Sequence, residues 1–83
     1  MRRNETEMKL DVLLNLNEPT IKTRLMYNTN INHSVLTRHL NTLIARGCIR
    51  TAVNGKRIKY VITNKGLQVA SSWEKIKEAL KGI

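Results

Sequence analysis

The sequence predicts a mainly α domain with one β-hairpin, an α+β fold class. Apolar residues recur with a helical period up to Gly47 and alternate with polar residues after it. Two alternating segments, residues 48–53 and 56–62, flank Asn54-Gly55, a dipeptide that favours a two-residue hairpin turn. A chain of 83 residues is expected to form one domain with a limited core, so oligomerisation is an expected source of stability.

Two helices are expected at the start of the chain. Asn4 is placed to cap the first helix, which should end near Leu16 because Pro19 disfavours helical structure in the residue before it. Thr20 is placed to cap a short second helix over residues 21–28. The first third of the chain is therefore predicted to be two helices joined by a short connection.

A tight turn should separate the second helix from a third. Ile31 interrupts the polar residues of this turn and is expected to point into the core. Asn32 is placed to cap the third helix, and Gly47 to end it in a left-handed conformation. Thr63 is placed to cap a fourth helix after the hairpin. The order of helix, helix, turn, helix, hairpin and helix predicts a winged helix-turn-helix with a C-terminal helix.

The net charge of +9 is concentrated in the middle of the chain. All six acidic residues lie outside residues 19–73, where they balance the six basic residues of the flanks. A positive field of this kind attracts polyanions, so a nucleic acid is the expected partner. The alternative is that the positive charge only keeps the protein soluble and binds no specific partner. The basic residues of the acid-free segment are Lys22, Arg24, Arg38, Arg46, Arg50, Lys56, Arg57, Lys59 and Lys65.

The third helix has an apolar stripe and an opposite polar face. Leu36, Leu40, Leu43 and Ile44 form the stripe, which should pack in the core. The opposite face has one charged residue and short side chains, whereas solvated helix faces usually mix Glu with Lys. Arg can bind guanine through two hydrogen bonds, Asn can bind adenine, and a Val methyl can contact thymine. The residues of this helix expected to contact DNA are His33, Ser34, Val35, Thr37, Arg38 and Asn41.

The same helix contains two histidines and a serine, which raise the alternative of a catalytic or metal site. His33 and His39 point about 240° apart around the helix, so they cannot bind one metal ion from one face. No acid in the central segment could orient His33 for catalysis by Ser34, and Cys48 is the single cysteine. We therefore expect no enzyme activity, no metal, no cofactor and no small-molecule ligand. His39 borders the apolar stripe and is expected to be partly buried.

Basic residues outside the third helix are expected to supply further DNA contacts. The wing, about residues 53–58, is placed to contact the DNA backbone or minor groove, although basic residues at a hairpin also protect its edge. Lys22 and Arg24 open the second helix, where phosphate contacts are expected. Arg2 and Arg3 form either a mobile basic arm or a disordered terminus. The wing residues expected to contact DNA are Asn54, Lys56 and Arg57.

The last helix carries a second apolar seam. Its members follow spacings of 4, 3, 4 and 3, the a/d pattern of paired helices. Leu67 and Ala70 point elsewhere and are expected to dock on the domain, which leaves the seam for a second copy of the chain. We therefore expect a homodimer; the alternative is a helix folded wholly onto its own domain. The seam residues are Val69, Trp73, Ile76, Leu80 and Ile83.

Several parts of the chain carry a resemblance to a known family: residues 22–27, the Asn30-Ile31 turn, Leu36, Leu40, Gly47 and residues 60–66. Together they resemble the archaeal winged-helix DNA-binding domains that include small basic chromatin-associated proteins. The resemblance implies a homodimer joined by the C-terminal helix and binding to double-stranded DNA. Positions 35 and 42 are often long or apolar in the family, and Val35 and Thr42 are shorter, so base preferences are not transferred.

The leading hypothesis is a homodimeric winged-helix transcription regulator that binds double-stranded DNA. Residues 1–66 would form the DNA-binding domain, with the third helix, about residues 33–46, in the major groove, and residues 67–83 would form the dimerisation helix. A short last helix and many asparagines favour a small regulator, of viral or plasmid origin, over an abundant architectural protein. The alternatives are a low-specificity chromatin protein and a protein-interaction module for an acidic partner.

The N-terminal segment bears on localisation. Charged residues, among them Glu5, Glu7 and Asp11, interrupt its apolar residues, so neither a signal peptide nor a membrane span is expected. The expected location is the cytoplasm, in association with the nucleoid.

Overall fold

The computed structural model describes residues 3–81 as four helices and one antiparallel hairpin, so the predicted fold class is confirmed. Two elements differ slightly from expectation: the first helix ends at Leu14 rather than near Leu16, and the second extends to Thr29. The elements are α1 (Glu5–Leu14), α2 (Lys22–Thr29), α3 (His33–Ala45), β1 (Ile49–Asn54), β2 (Arg57–Ile62) and α4 (Asn64–Leu80). No helix among these residues is both long enough and apolar enough to cross a membrane.

The core lies between the helices and the base of the hairpin. Leu36 and Leu40 of α3 are almost completely buried, as is Leu25 of α2. Burying a leucine side chain stabilises the fold by about 1.5–3 kcal/mol relative to leaving it exposed, so these residues hold α3 firmly. The buried cluster consists of Val12, Leu13, Leu16, Leu25, Ile31, Leu36, Leu40, Leu43, Cys48, Ile49 and Ala70.

Three of the predicted helix caps are confirmed. The Oδ1 atom of Asn4 accepts a hydrogen bond from the Glu7 N–H at 2.7 Å, and that of Asn32 accepts from the Val35 N–H at 3.0 Å. The Oγ1 atom of Thr63 accepts from the Gly66 N–H at 3.1 Å. Each cap satisfies one of the N–H groups that the first turn of a helix leaves without a partner.

The predicted cap of α2 is wrong. The residue before this helix is Ile21, whose side chain cannot accept a hydrogen bond, and Thr20 lies one residue too early. Thr20 instead forms a short antiparallel bridge with Tyr60 of β2, with N–H···O distances of 3.1 and 2.8 Å. Long-range pairing therefore takes precedence over the local capping preference, and it fastens the start of α2 to the hairpin.

The hairpin turn lies one residue later than predicted. Asn54 pairs with Arg57, so the two loop residues are Gly55 and Lys56 rather than Asn54 and Gly55. Gly55 has a φ of +65°, and glycine at the first loop position suits a type II′ turn, whose twist matches that of the strands. Asn54 therefore belongs to β1, and Lys56 occupies the tip of the wing.

Two expectations for apolar residues are corrected. Ile44, which the helical projection places in the core stripe of α3, is exposed, because the packing face of this helix includes His39 instead. Leu67 was expected to dock on the domain but is 53% exposed, whereas Ala70 is buried as expected. Small residues make the docking face of α4, since a leucine would hold the helix further from the core.

Gly66 permits the close approach of α4 to the segment before β1. A Cβ atom on this residue would lie 2.2 Å from the carbonyl oxygen of Cys48 and 2.7 Å from the Ile62 side chain. The same junction is closed by the Thr63 hydroxyl, which donates to the Gly47 carbonyl at 2.5 Å. The position of α4 therefore depends on the absence of a side chain at residue 66.

His39 is a polar residue inside this core. It has no exposed surface, and neither ring nitrogen has a hydrogen-bond partner within residues 3–81. Burial lowers the pKa of the imidazole below its ordinary value of 6.5, and the positive charges of Lys9 and Arg38 lower it further while Glu5 opposes them. The neutral form of His39 is therefore favoured, and the residue is more deeply buried than expected.

Replacing Gly66 should destabilise the protein. We expect Gly66→Ala to lower the free energy of unfolding in urea by about 1–3 kcal/mol, because the new methyl group overlaps a backbone oxygen that cannot easily move. Ser71→Ala, an exposed substitution on the same helix, is the matched control and should change stability by less than about 0.5 kcal/mol. Equal stabilities of the two variants would contradict the close packing.

The His39 pKa predicts how stability depends on pH. As the pH falls below about 6.5, the unfolded chain takes up a proton before the folded chain does, so the free energy of unfolding should decrease. His39→Leu removes this group, and urea titrations of the variant between pH 7 and pH 5 should show a much smaller decrease. The exposed His33 supplies the control, since His33→Gln should retain the decrease seen in the unaltered protein. Parallel curves for all three proteins would contradict the prediction.

Candidate nucleic-acid interface

The turn between α2 and α3 sets the orientation of the exposed face of α3. Asn30 adopts a left-handed conformation with φ +56°, and Ile31 is buried as predicted. Arg3 reaches this turn: its guanidinium pairs with Asp11 of α1 at 2.7 Å and lies 3.4 Å from the Asn30 carbonyl. Arg3 is therefore tied to the domain rather than part of a free arm, and Arg2 lies outside the described residues.

The side chains predicted to contact DNA from α3 lie at two levels of exposure. Val35 packs against the hydrophobic core and is partly buried. Thr37 is also partly buried, and its hydroxyl donates to the His33 carbonyl at 2.8 Å. Asn32, the cap residue, also accepts a hydrogen bond from the Ser34 hydroxyl at 3.1 Å. The exposed members of the predicted set are His33, Ser34, Arg38 and Asn41.

A lysine links the two helices of the motif. The Nζ atom of Lys22 donates to Thr37 Oγ1 at 2.8 Å, which fastens the first turn of α2 to the exposed side of α3. Lys65 makes a similar contact at the other end of α3, where its Nζ atom donates to the Arg46 carbonyl at 2.6 Å. A cation at this end is favourable because helix C-termini carry partial negative charge.

The wing places basic residues on one face. Its strand register puts Arg50, Lys59 and Arg57 on the same side of the hairpin, since directly paired residues share a face. The other face is buried at its base but ends in an exposed cross-strand pair, Val53 and Ile58. The wing is therefore basic on one side and apolar on the other.

A cleft joins the basic face of the wing to the start of α2. Arg24, Arg57 and Lys59 line this cleft, which has a volume of about 240 Å³ and is also bordered by Glu18. None of these three cations forms a salt bridge within the described part of the chain. Lys59 was not predicted as a site residue, although the period-2 alternation of β2 places it on the same side as Arg57.

Arg38 differs from the other candidate cations. Its Nη1 atom pairs with the Glu5 carboxylate of α1, and both side chains are 56% exposed. The Arg38 guanidinium, through this hydrogen bond and its charge, holds the pKa of the Glu5 carboxyl below its ordinary value. The sequence pattern did not predict this contact, because it joins residues 33 positions apart.

The exposed surface of α4 is apolar along the predicted seam. Val69, Ile76 and Leu80 are 37%, 51% and 61% exposed, and Trp73 is half-buried. Ile83 lies outside the described residues. A groove of about 500 Å³ runs between this seam and α1, lined by Leu10, Lys65, Gln68, Val69, Ser72, Trp73 and Ile76.

The arrangement presents polar and basic side chains at the surfaces of α3, α2 and the wing. Within residues 3–81, no three His, Cys, Asp or Glu side chains lie close enough together to hold a metal ion. A side-chain hydrogen bond joins α3 to the first turn of α2, and a cleft lies between that turn and the basic face of the wing. Such a surface can approach a polyanion along its length.

Comparison with solved structures shows a shared fold. Sso10a-2, a DNA-binding protein from Sulfolobus solfataricus, superposes with a TM-score of 0.82 at 29% identity, covering 96% of this chain and 87% of that one. AF1382 from Archaeoglobus fulgidus gives 0.79 at 15% identity, covering 90% and 89%. A predicted DNA-binding transcriptional regulator from E. coli gives 0.69 at 20% identity, covering 86% and 77%. The last two likenesses show the fold alone.

Comparison of the sequence itself gives a family assignment. No curated protein matches it. The winged helix-turn-helix family matches over residues 2–81, which is nearly the whole chain. The order of elements, the turn between α2 and α3 and the hairpin that follows α3 are those of this fold. The chain therefore belongs to the winged helix-turn-helix family.

Proposed function

We propose that this protein is a transcription regulator that binds double-stranded DNA as a homodimer. The observation that carries the proposal is that the exposed, polar face of α3 and the basic face of the wing both belong to a segment with no acidic residue from 19 to 73. The similarity to Sso10a-2, which is itself described as a DNA-binding protein, supports the assignment.

In the proposed complex, α3 enters the major groove. Arg38 would bind a guanine through two hydrogen bonds, and Asn41 would bind an adenine in the same way. His33 and Ser34, at the first turn of α3, would lie close to a phosphate, where the N–H groups of the helix start also point. Val35 and Thr37 are partly buried, so we expect them to contribute through shape more than through direct hydrogen bonds.

The wing and α2 would contact the DNA backbone. Lys56 at the wing tip and Arg57 beside it can reach the backbone or the minor groove, with Asn54 adjacent to both. Arg24 and Lys59 would bind one phosphate in the cleft between the wing and α2, because neither has a salt-bridge partner within the described residues. These contacts position the protein without distinguishing one base from another.

Dimerisation would occur through α4. The exposed seam of this helix and the groove beside α1 leave apolar surface in water, and a second copy of the helix could cover it. In a symmetric dimer the two α3 helices would contact half-sites roughly 34–36 Å apart, about one turn of B-DNA. The alternative is that α4 folds wholly onto its own domain. The exposure of Ile76 and Leu80 argues against it, because such packing would bury both side chains.

A low-specificity chromatin protein is the second candidate function. The observation that favours it is the set of wing cations without a salt bridge in the described part of the chain, which suits phosphate contacts rather than base contacts. A titration with DNA selected from a random pool, and with unselected DNA, at two salt concentrations distinguishes the two functions. Strong preference for the selected site supports a regulator, whereas equal affinities with a steep salt dependence support a chromatin protein. Failure to bind any duplex at low salt contradicts both and favours an acidic protein partner.

Arg38 and Lys59 should have different effects on DNA binding. We expect Arg38→Ala to weaken binding to the selected site by about 1–3 kcal/mol and to relax specificity at one base position. Lys59→Ala should weaken binding to all duplexes about equally and reduce the slope of log affinity against log salt by about 1. Fluorescence anisotropy on a panel of single-base variants measures both effects. Equal weakening by Arg38→Ala on every sequence would assign this residue to phosphate instead.

Ile76 provides a test of the dimer. Ile76→Glu places a charge in the middle of the exposed seam, so we expect the protein to become monomeric in light scattering and to bind DNA more weakly. Ser71→Glu adds the same charge about 200° away from Val69 on the same helix and should leave the mass unchanged. A dimer that survives Ile76→Glu would refute the proposed interface, while circular dichroism checks that both variants are folded.

A further inference from the structure

The contact between Arg38 and Glu5 crosses from the exposed face of α3 to the first residue of α1. Lys22, Arg24, Lys56, Arg57 and Lys59 have no salt bridge within residues 3–81, so Arg38 is alone among the cations assigned to DNA in having a carboxylate partner there. Residues 19–73 contain no acidic residue, so α3 has no negative charge of its own. The carboxylate that pairs with Arg38 comes instead from Glu5 of α1.

The ion pair joins two exposed side chains that have no other side-chain hydrogen bond within the described residues. Glu5 has no other hydrogen-bond partner within the described residues, and Arg38 uses a terminal nitrogen, Nη1, for the contact. A carboxylate that orients an arginine for recognition is normally fixed by contacts of its own. Glu5 lacks such contacts, so it holds Arg38 without imposing a fixed geometry on it.

The same donors cannot serve the carboxylate and DNA at once. A guanidinium presents its N–H donors in one planar fork, and carboxylates, phosphates and the guanine edge all bind to that fork. The arginine lowers the pKa of the Glu5 carboxyl, and Lys9, one turn further along α1, acts in the same direction, so the carboxylate form that competes for this fork is favoured. In the proposed complex, moving Arg38 to the groove would leave the Glu5 carboxylate without its partner.

We propose that Glu5 competes with DNA for Arg38 and so limits the affinity of the protein for duplex DNA. This inference rests on the proposed DNA-binding function. It adds a residue of α1, outside the helix-turn-helix and the wing, to those that determine binding. Arg38 must then leave Glu5 when the complex forms. The free energy needed to break this ion pair reduces the favourable free energy of the contact between Arg38 and DNA.

Two single variants separate this competition from a general charge effect. Glu5→Gln removes the ionic partner, and we expect it to tighten binding to the selected duplex by about two- to five-fold beyond any effect of the control. The control is Glu7→Gln, which removes one negative charge from the same turn of α1. Glu7 contacts Asn4 rather than Arg38, at 3.0 Å from Asn4 Nδ2, and glutamine retains an oxygen that can accept this hydrogen bond.

A double-mutant cycle with Arg38→Ala completes the test. In the Arg38→Ala background, Glu5→Gln and Glu7→Gln should have the same effect on affinity, because the competing contact no longer exists. Circular dichroism and thermal unfolding should show that all variants remain folded at the temperature of the binding assay. A gain from Glu5→Gln that persists in this background would contradict competition for Arg38.

The remaining outcomes are equally distinct. Weaker binding by Glu5→Gln overturns the inference, because it would mean that Glu5 orients Arg38 for DNA. Equal effects of Glu5→Gln and Glu7→Gln in the unaltered background also overturn it. They would mean that removing any negative charge from this turn of α1 changes DNA affinity to the same extent. If Arg38→Ala leaves binding unchanged, the proposed role of Arg38 on DNA fails together with the inference. If Arg38→Ala weakens binding but Glu5→Gln gives no extra gain, the inference alone fails.

Discussion

The burial of one side of α3 is the constraint on which the rest of the structure depends. Leu36, Leu40 and His39 have almost no exposed surface, and together they fix the rotation of the helix about its own axis. Because successive residues of a helix are about 100° apart, fixing this side also fixes which residues point outward. Ser34, Arg38 and Asn41 are therefore exposed as a consequence of core packing. The winged helix-turn-helix family uses this division between a packed face and an exposed face.

Long-range contacts of both backbone and side chains connect α2 to α3 and to the hairpin. The bridge between Thr20 and Tyr60 joins the start of α2 to the hairpin, and Lys22 joins α2 to α3 through Thr37. These contacts bring Arg24, on α2, to the same cleft as Lys59. Part of the positive charge that is spread along the sequence is thereby gathered in one cleft, and such a concentration of charge favours contact with a polyanion.

The two sides of α4 have different physical roles. Its first turn packs tightly because Gly66 has no side chain, and Ala70 continues the same contact. The exposed apolar residues further along the helix have no partner of this kind within the described residues. A small domain buries a limited fraction of its surface, so covering this seam in the proposed dimer would add stability that the monomer lacks. Stability and DNA binding would then be coupled through protomer concentration.

Local sequence signals were sufficient for the elements and for most of their ends. Asn4, Asn32 and Thr63 cap their helices because capping depends on a few neighbouring residues, and the alternation after Gly47 identified the hairpin. The composition also located the positive charge in the middle of the chain, since charge counts do not depend on the fold. These features, together with the leucines of α3, were enough to predict the fold class and the candidate face.

Tertiary structure decided the features that join distant parts of the chain. Thr20 pairs with Tyr60 instead of capping α2, Ile44 is exposed while His39 is buried, and Arg38 contacts Glu5. Each outcome depends on which surfaces meet across the fold, and a helical projection of one segment contains no information about its neighbours. The sequence by itself determined the helices, the hairpin and the positive charge. The three-dimensional packing decided which of the polar residues are free to contact a partner, because burial and ion pairing are properties of the assembled chain.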